Sequence, residues 1–183
     1  MNLKIHLLGF ALLLFILIAG CKQQPQTPSN RIPPDREAED LMLLNKAIVE
    51  AEDAKIVQYI NKQTIRFQKD SLGFWYSIQS HGSGLPPKKN DKVDYYYSVA
   101  LLNGARCYST FDTKQINTVF LGKGILFSGF EMAIKKLASG GEGIFVIPSY
   151  LAYSVAGDGR KIPPYSTLVC RIKVISISKN TTF

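Results

Sequence analysis

The sequence predicts an α+β fold, an antiparallel β-sheet wrapped around one short α-helix, preceded by an N-terminal helical segment. Three observations carry this. Residues 35–67 contain neither Gly nor Pro and space their apolar residues by three and four. Val93, Tyr95, Tyr97, Val99 and Leu101 alternate with Asp94, Tyr96, Ser98 and Ala100, the period of a half-buried strand. Between later strand-like runs stands one short amphipathic stretch, Ser128 to Leu137. Strands in succession with a single short helix make one helix laid on an antiparallel sheet.

The first twenty residues stand apart from that fold. Lys4 gives a positive start, Ile5 to Ile18 is an apolar run, and the chain then reads Leu17-Ile18-Ala19-Gly20-Cys21. A run this short ending in small residues is a secretory signal rather than a spanning helix. Residues 22–34, KQQPQTPSNRIPP, are polar and rich in Pro and Gln, which makes them a tether. The expected organisation is therefore 1–20 signal peptide, 21–34 Cys21 with its tether, 35–70 helical segment and 71–183 main domain.

The helical segment opens on Asp35, Glu37, Glu39 and Asp40, charges that suit a helix N-terminus. Leu41, Leu44, Ile48 and Ala51 keep helical spacing, and so do Val57, Ile60, Thr64 and Phe67. The step from 51 to 57 breaks register, so either one helix with a stutter or two helices is expected. Residues 37–67 can pair with a second copy into a homodimer, pack on their own domain, or act as a spacer.

Beyond Leu72-Gly73 the pattern is β. A strand is expected over 74–79, a loop over 80–91 and the alternating strand over 93–101, with Asn103-Gly104 as the hairpin turn. Ser128 and Glu131 fit a capping box, Phe127 is placed to staple onto Met132, and Gly140-Gly141 closes a helix of about ten residues. GIFVIPS is a strand, residues 151–164 a long loop, and 167–177 the last strand. On that strand Leu168, Cys170, Ile172 and Val174 share the inward face.

Composition narrows the chemistry. The chain has 183 residues with 46% hydrophobic and 20% charged, enough for a core without metals or multiple disulfides. Its net charge is +8, and from residue 72 onward there are 13 basic against 6 acidic residues. For an exported chain this reads as solubilising lysines, or a face toward anionic lipid or acidic clients, and not as nucleic-acid binding. There is no CxxC, HxxxH, GxSxG or phosphate loop, and His81 stands alone in a Gly-Ser loop. No metal and no cofactor are expected.

Four blocks, VDYYYSVALLNG, FLGKGILFSGFEMAI, IPSYLAYSVAGDG and IPPYSTLVCRIKVISI, resemble in order and spacing the FKBP-type peptidyl-prolyl isomerases, over roughly residues 85–178. The LIAGC ending resembles a bacterial lipobox, which implies cleavage before Cys21 and lipid on its sulfur. The whole layout, with GFWY ahead of the domain, is similar to the lipoprotein isomerases associated with gliding motility. This implies a membrane-anchored isomerase of X-Pro bonds in exported proteins, with proline-containing polypeptides as clients and Cys21 in the bilayer. Lys22 after the cysteine, with no acidic residue there, does not signal inner-membrane retention, so the outer membrane of the cell envelope is expected.

The resemblance also implies a pocket. Tyr97 matches a wall tyrosine, and Leu126 and Phe127 match the aliphatic pair ahead of the helix, the Phe127 N–H holding a substrate carbonyl. Phe130 matches the pocket floor, Tyr153 the loop tyrosine that bonds the peptide backbone, and Ile162 the rim. Where the family pattern has Phe-Asp this chain has Cys107-Tyr108, and where it has a further Phe there is Cys170. The candidate catalytic residues are thus Tyr97, Tyr108, Phe127, Phe130 and Tyr153. The candidate substrate contacts are Cys107, Leu126, Ile162 and Cys170. Three readings of the thiols are open: a disulfide between them, a wider pocket with both reduced, or a pocket that binds without turnover.

Overall fold

The structure is a computed structural model that describes residues 34–180. The expected signal peptide, Cys21 and all but the last residue of the tether lie outside the described residues. By internal contacts the chain divides into two compact units, Met1–Leu44 and Asn45–Phe183.

Helix α1 runs Pro34–Ile60 without interruption, with Asp35 and Glu37 in its first turn. It ends at Ile60, seven residues before Phe67, the last residue of the helical spacing, and ten before the expected end of the segment at 70. Thr64 and Phe67 therefore lie outside it, and the chain instead turns at Asn61–Lys62 into strand β1, Gln68–Lys69. In the first unit Leu41, Met42, Leu43 and Leu44 are exposed. In the second unit the rest of α1 packs on its own domain, with Ile56 fully buried and Glu52 nearly so.

Among the described residues the sheet has seven strands: β1, then β2 (Trp75–Ser80), β3 (Lys92–Leu101), β4 (Arg106–Ser109), β5 (Asn117–Phe120), β6 (Glu142–Ile147) and β7 (Leu168–Ser178). Their spatial order is β1-β2-β6-β7-β3-β4, every pairing antiparallel, with β5 also on β3. β1 falls within the segment 35–70 expected to be helical, where the chain instead pairs with β2, and β5 carried no expectation, because a four-residue run has too little alternation to read. The long partners β3 and β7 pair from Lys92–Ser178 to Leu101–Leu168. Their inward residues Val93, Tyr95, Val99, Leu168, Cys170, Ile172 and Val174 form the floor of the core.

Helix α2, Ser128–Ile134, is shorter than the ten residues expected, because Lys136 and Leu137 close tighter turns onto Ala133 and Ile134. It buries Phe130, Ala133 and Ile134 against the sheet, and full burial of a Phe or Ile is worth about 1.5–3 kcal/mol. The expected capping box does not form. The cap residue is Phe127, without a side-chain cap bond. Ser128 Oγ donates to the Leu151 carbonyl at 3.2 Å, and Glu131 accepts from the Gly122 N–H at 3.1 Å and pairs with Lys135 at 2.6 Å. Both side chains hold neighbouring loops. Gly129 lets the helix come this close, since a Cβ there would strike Ile147 and the Leu151 carbonyl.

Candidate active site

Strand alternation aims three side chains of β3 at α2: Tyr95, Tyr97 and Val99. Across from them the turn before α2 brings Leu126 and Phe127, and the helix brings Phe130. A single-turn 3-10 helix, Ser149–Leu151, delivers Tyr153. Its return is fixed by Ser154, at φ 52°, whose N–H donates to the Ser149 carbonyl at 2.8 Å. The remaining wall is Tyr108 from β4 and the loop carrying Gly157, Asp158, Arg160 and Ile162. Together they enclose an open cavity of about 800 Å³.

Phe130 is the hub of the aromatic lining. It is 2% exposed, so the ring is fixed by packing. Its ring lies edge-on to Tyr97 at 5.7 Å and to Phe127 at 5.4 Å, and tilted against Tyr95 at 5.8 Å. Phe127 in turn meets Tyr153 at 5.1 Å. Such contacts add about 0.5–1.5 kcal/mol each beyond burial, which makes the cup rigid. Burial pushes the Tyr95 phenol up to about 12 and also raises Tyr153, so both remain neutral hydrogen-bonding walls at any physiological pH. Phe127 lines the cavity, and among the described residues nothing accepts its amide N–H.

Of the expected residues, Tyr97, Tyr108, Leu126, Phe127, Phe130, Tyr153 and Ile162 all line the cavity. Cys107 and Cys170 do not. Cys170 is fully buried in the core beneath the floor, and its thiol is raised by burial. Cys107 is 4% exposed, and its Sγ lies 3.6 Å from the Lys161 carbonyl. Both thiols are free. The register explains why they do not bridge. Val99 of β3 faces Tyr108 on one side and Cys170 on the other. The cysteines thus sit two strand spacings apart, roughly 9–10 Å, whereas a disulfide needs Cα atoms within about 7 Å.

Among the lining residues that were not expected, Tyr95 and Asp158 bear most on the site. Tyr95 was legible, because it shares the Tyr97 face by strand period. Asp158 gave only a weak signal, an Asp between two glycines in a loop. Its Oδ1 accepts the N–H groups of Arg160, Lys161 and Ile162 at 2.9, 2.9 and 2.8 Å, and its Oδ2 accepts the Tyr108 phenol. Burial works to raise its pKa, but these four donors prevail and lower it to about 2. The bond to that carboxylate, with burial added, pushes Tyr108 up to about 12.

A cavity with an aromatic floor around Phe130, neutral phenols and an amide donor left free among the described residues is suited to holding a peptide and drying one of its bonds. Residues 84–175 match a family profile described as FKBP-type peptidyl-prolyl cis-trans isomerase. The chain belongs to this family. It is 36% identical over 107 residues to a probable FKBP-type isomerase, FkpA, of Neisseria meningitidis serogroup B, a match covering 57% of this chain but 38% of that relative. It is 29% identical over 96 residues to an FK506-binding protein of Neisseria meningitidis serogroup A, covering 52% of this chain and 88% of the relative. Among solved structures, FkpA from Escherichia coli aligns with a TM-score of 0.61 at 24% identity, over 81% of this chain and 74% of that one, a likeness of fold. A Pseudomonas syringae isomerase aligns with the same TM-score at 25% identity, over 73% and 96%. Of Cys107, Tyr108 and Cys170, the positions that depart from the family pattern, Tyr108 alone lines the cavity.

Proposed function

We propose that the chain accelerates cis–trans exchange at X-Pro bonds in this cup. The barrier of about 18–20 kcal/mol comes from amide resonance. A twisted amide has less charge separation than a planar one and so prefers an apolar wall to water. The cup therefore binds the twisted form better than either planar form, which is catalysis by differential binding. Phe130 and Tyr97 supply the dry walls, and the Phe127 N–H and the Tyr153 hydroxyl hold the peptide backbone. The observation that carries this reading is the Phe130-centred aromatic lining of a cavity open enough for a peptide.

The lipobox-like LIAGC at residues 17–21 supports a second part of the reading: a lipoprotein, anchored through Cys21 in the outer membrane, that assists exported proteins. The layout similar to gliding-motility isomerases supports a place in an envelope machine. Pairing of two copies through 37–67 is a proposal limited to the part of that segment that its own domain leaves uncovered. Sedimentation of the full chain in detergent tests it.

Exchange spectroscopy of a Leu-Pro peptide with the full chain tests the activity. Faster exchange that is lost in Phe130→Ala supports it. Unchanged exchange with retained peptide binding leaves a binding module, the reading favoured by the missing Phe-Asp at 107–108.

A further inference from the structure

Residues 107 and 108, the pair that departs from the family pattern, both reach the same loop. Tyr108 donates its phenol proton to Asp158 Oδ2, and Cys107 Sγ stands 3.6 Å from the Lys161 carbonyl. Lys161 Nζ lies over the Tyr108 ring, 5.4 Å from its centre. The loop is closed on the Asp158 side chain. Three consecutive N–H groups, of Arg160, Lys161 and Ile162, donate to Oδ1, and the Asp158 N–H returns to the Ile162 carbonyl at 3.0 Å. Gly157 permits this closure, since a Cβ there would strike the Ile162 carbonyl at a φ of 65°. Tyr108, Asp158 and Ile162 all face the cavity.

We propose that Asp158 is the positioning residue of this pocket: one oxygen shapes the Ile162-bearing rim, the other holds Tyr108, and the acid the family pattern carries at 108 acts here from 158. The proposal rests on the isomerase reading for its substrate. Because its proton is committed to Asp158, the Tyr108 oxygen presents only lone pairs to the cavity. The client it suits offers a donor at that point, such as a backbone N–H or a Ser or Thr hydroxyl beside the proline.

One consequence is contrary to the family pattern. An Asp at 108 removes the phenol that Asp158 Oδ2 accepts and adds a second negative charge on the same side of the pocket, and like charges repel. Restoring the family residue alone therefore weakens the pocket.

The test is a cycle in the full chain with Tyr108→Phe, Asp158→Asn and the double variant, read as KM and kcat on the Leu-Pro peptide. Asn at 158 still accepts the three loop N–H groups, but its amide now donates toward the phenol, so only the direction of that bond changes. Each single variant is expected to raise KM about three- to ten-fold with kcat little changed, the worth of one hydrogen bond. The double variant is expected to be no worse than the poorer single one. In wild type the Tyr108 hydroxyl proton is expected to give a slowly exchanging downfield NMR signal, and Asp158→Asn to lose it. Tyr108→Asp is expected to bind peptide more weakly than Tyr108→Asn, and Asp158→Asn to relieve the difference.

Additive effects of Tyr108→Phe and Asp158→Asn overturn the proposal, as does a Tyr108→Asp variant more active than wild type. A wild type without turnover overturns the isomerase reading alone, and the same cycle is then read as peptide Kd by chemical-shift titration. A variant that fails to fold is replaced by Tyr108→Asn, read against wild type and Asp158→Asn.

Discussion

The carboxylate of Glu52, on α1, accepts both the amide N–H of Ser149 at 2.7 Å and its hydroxyl at 2.8 Å, 97 residues along the chain. Thr167 adds a third donor at 2.5 Å. Glu52 is 8% exposed and Ser149 5%, so these groups have little access to water. The bond ties the helix to the 3-10 turn that delivers Tyr153.

Glu52→Ala is therefore expected to lower stability by about 1–3 kcal/mol, the cost of buried donors left unsatisfied. Glu52→Gln, which keeps one accepting oxygen, is expected to lose less. Urea unfolding of the full chain measures both. Equal stability of Glu52→Ala and wild type would show that these three hydrogen bonds contribute nothing to the fold.

Tyr153→Phe removes one hydroxyl and leaves the ring that meets Phe127 at 5.1 Å. Folding stability is expected to stay within about 0.5 kcal/mol. Turnover of the Leu-Pro peptide is expected to fall by about two- to ten-fold, one hydrogen bond to the peptide backbone. Parallel melting curves and exchange rates separate the two effects.

Acid sensitivity follows from the carboxylates. Asp158 lies at about 2 in the folded chain against an ordinary 3.8, and Asp70, Asp91 and Asp94 are also lowered. A group depressed by folding stabilises above its unfolded pKa and loses that contribution as pH falls through its folded value. Stability is thus expected to drop between about pH 4 and pH 2, and Asp158→Asn to flatten that limb. At the other end, Tyr95 and Tyr108, both raised to about 12, favour the fold below about pH 10 and lose that contribution as pH rises toward 12. Denaturant midpoints across pH check both limbs.

The thiols make a redox prediction. Cys107 and Cys170 lie on strands separated by β3, and burial raises both thiols above their ordinary value. Oxidant is expected to form no intramolecular bridge between them, and alkylation is expected only on unfolding. Peptide mapping without reductant shows either free Cys107 and Cys170 or a bridge between these two, and the latter would require β3 to move aside.

What the sequence determined by itself was whatever repeats locally. Period two in residues 93–101 set the face that Tyr95, Tyr97 and Val99 share, and in 168–174 the face of Cys170. Helical spacing placed Phe130 on the buried side of α2. The tertiary structure decided everything that depends on which distant segments meet. Ser128 and Glu131 have the spacing of a capping box, yet Leu151, Gly122 and Lys135 became their partners once the loops had docked. Cys107 and Cys170 looked like neighbours in one pocket until the register set β3 between them. Asp158 found Tyr108 across 50 residues, a pairing no periodicity encodes, because a loop carboxylate is placed by backbone closure and by the strand it lands against.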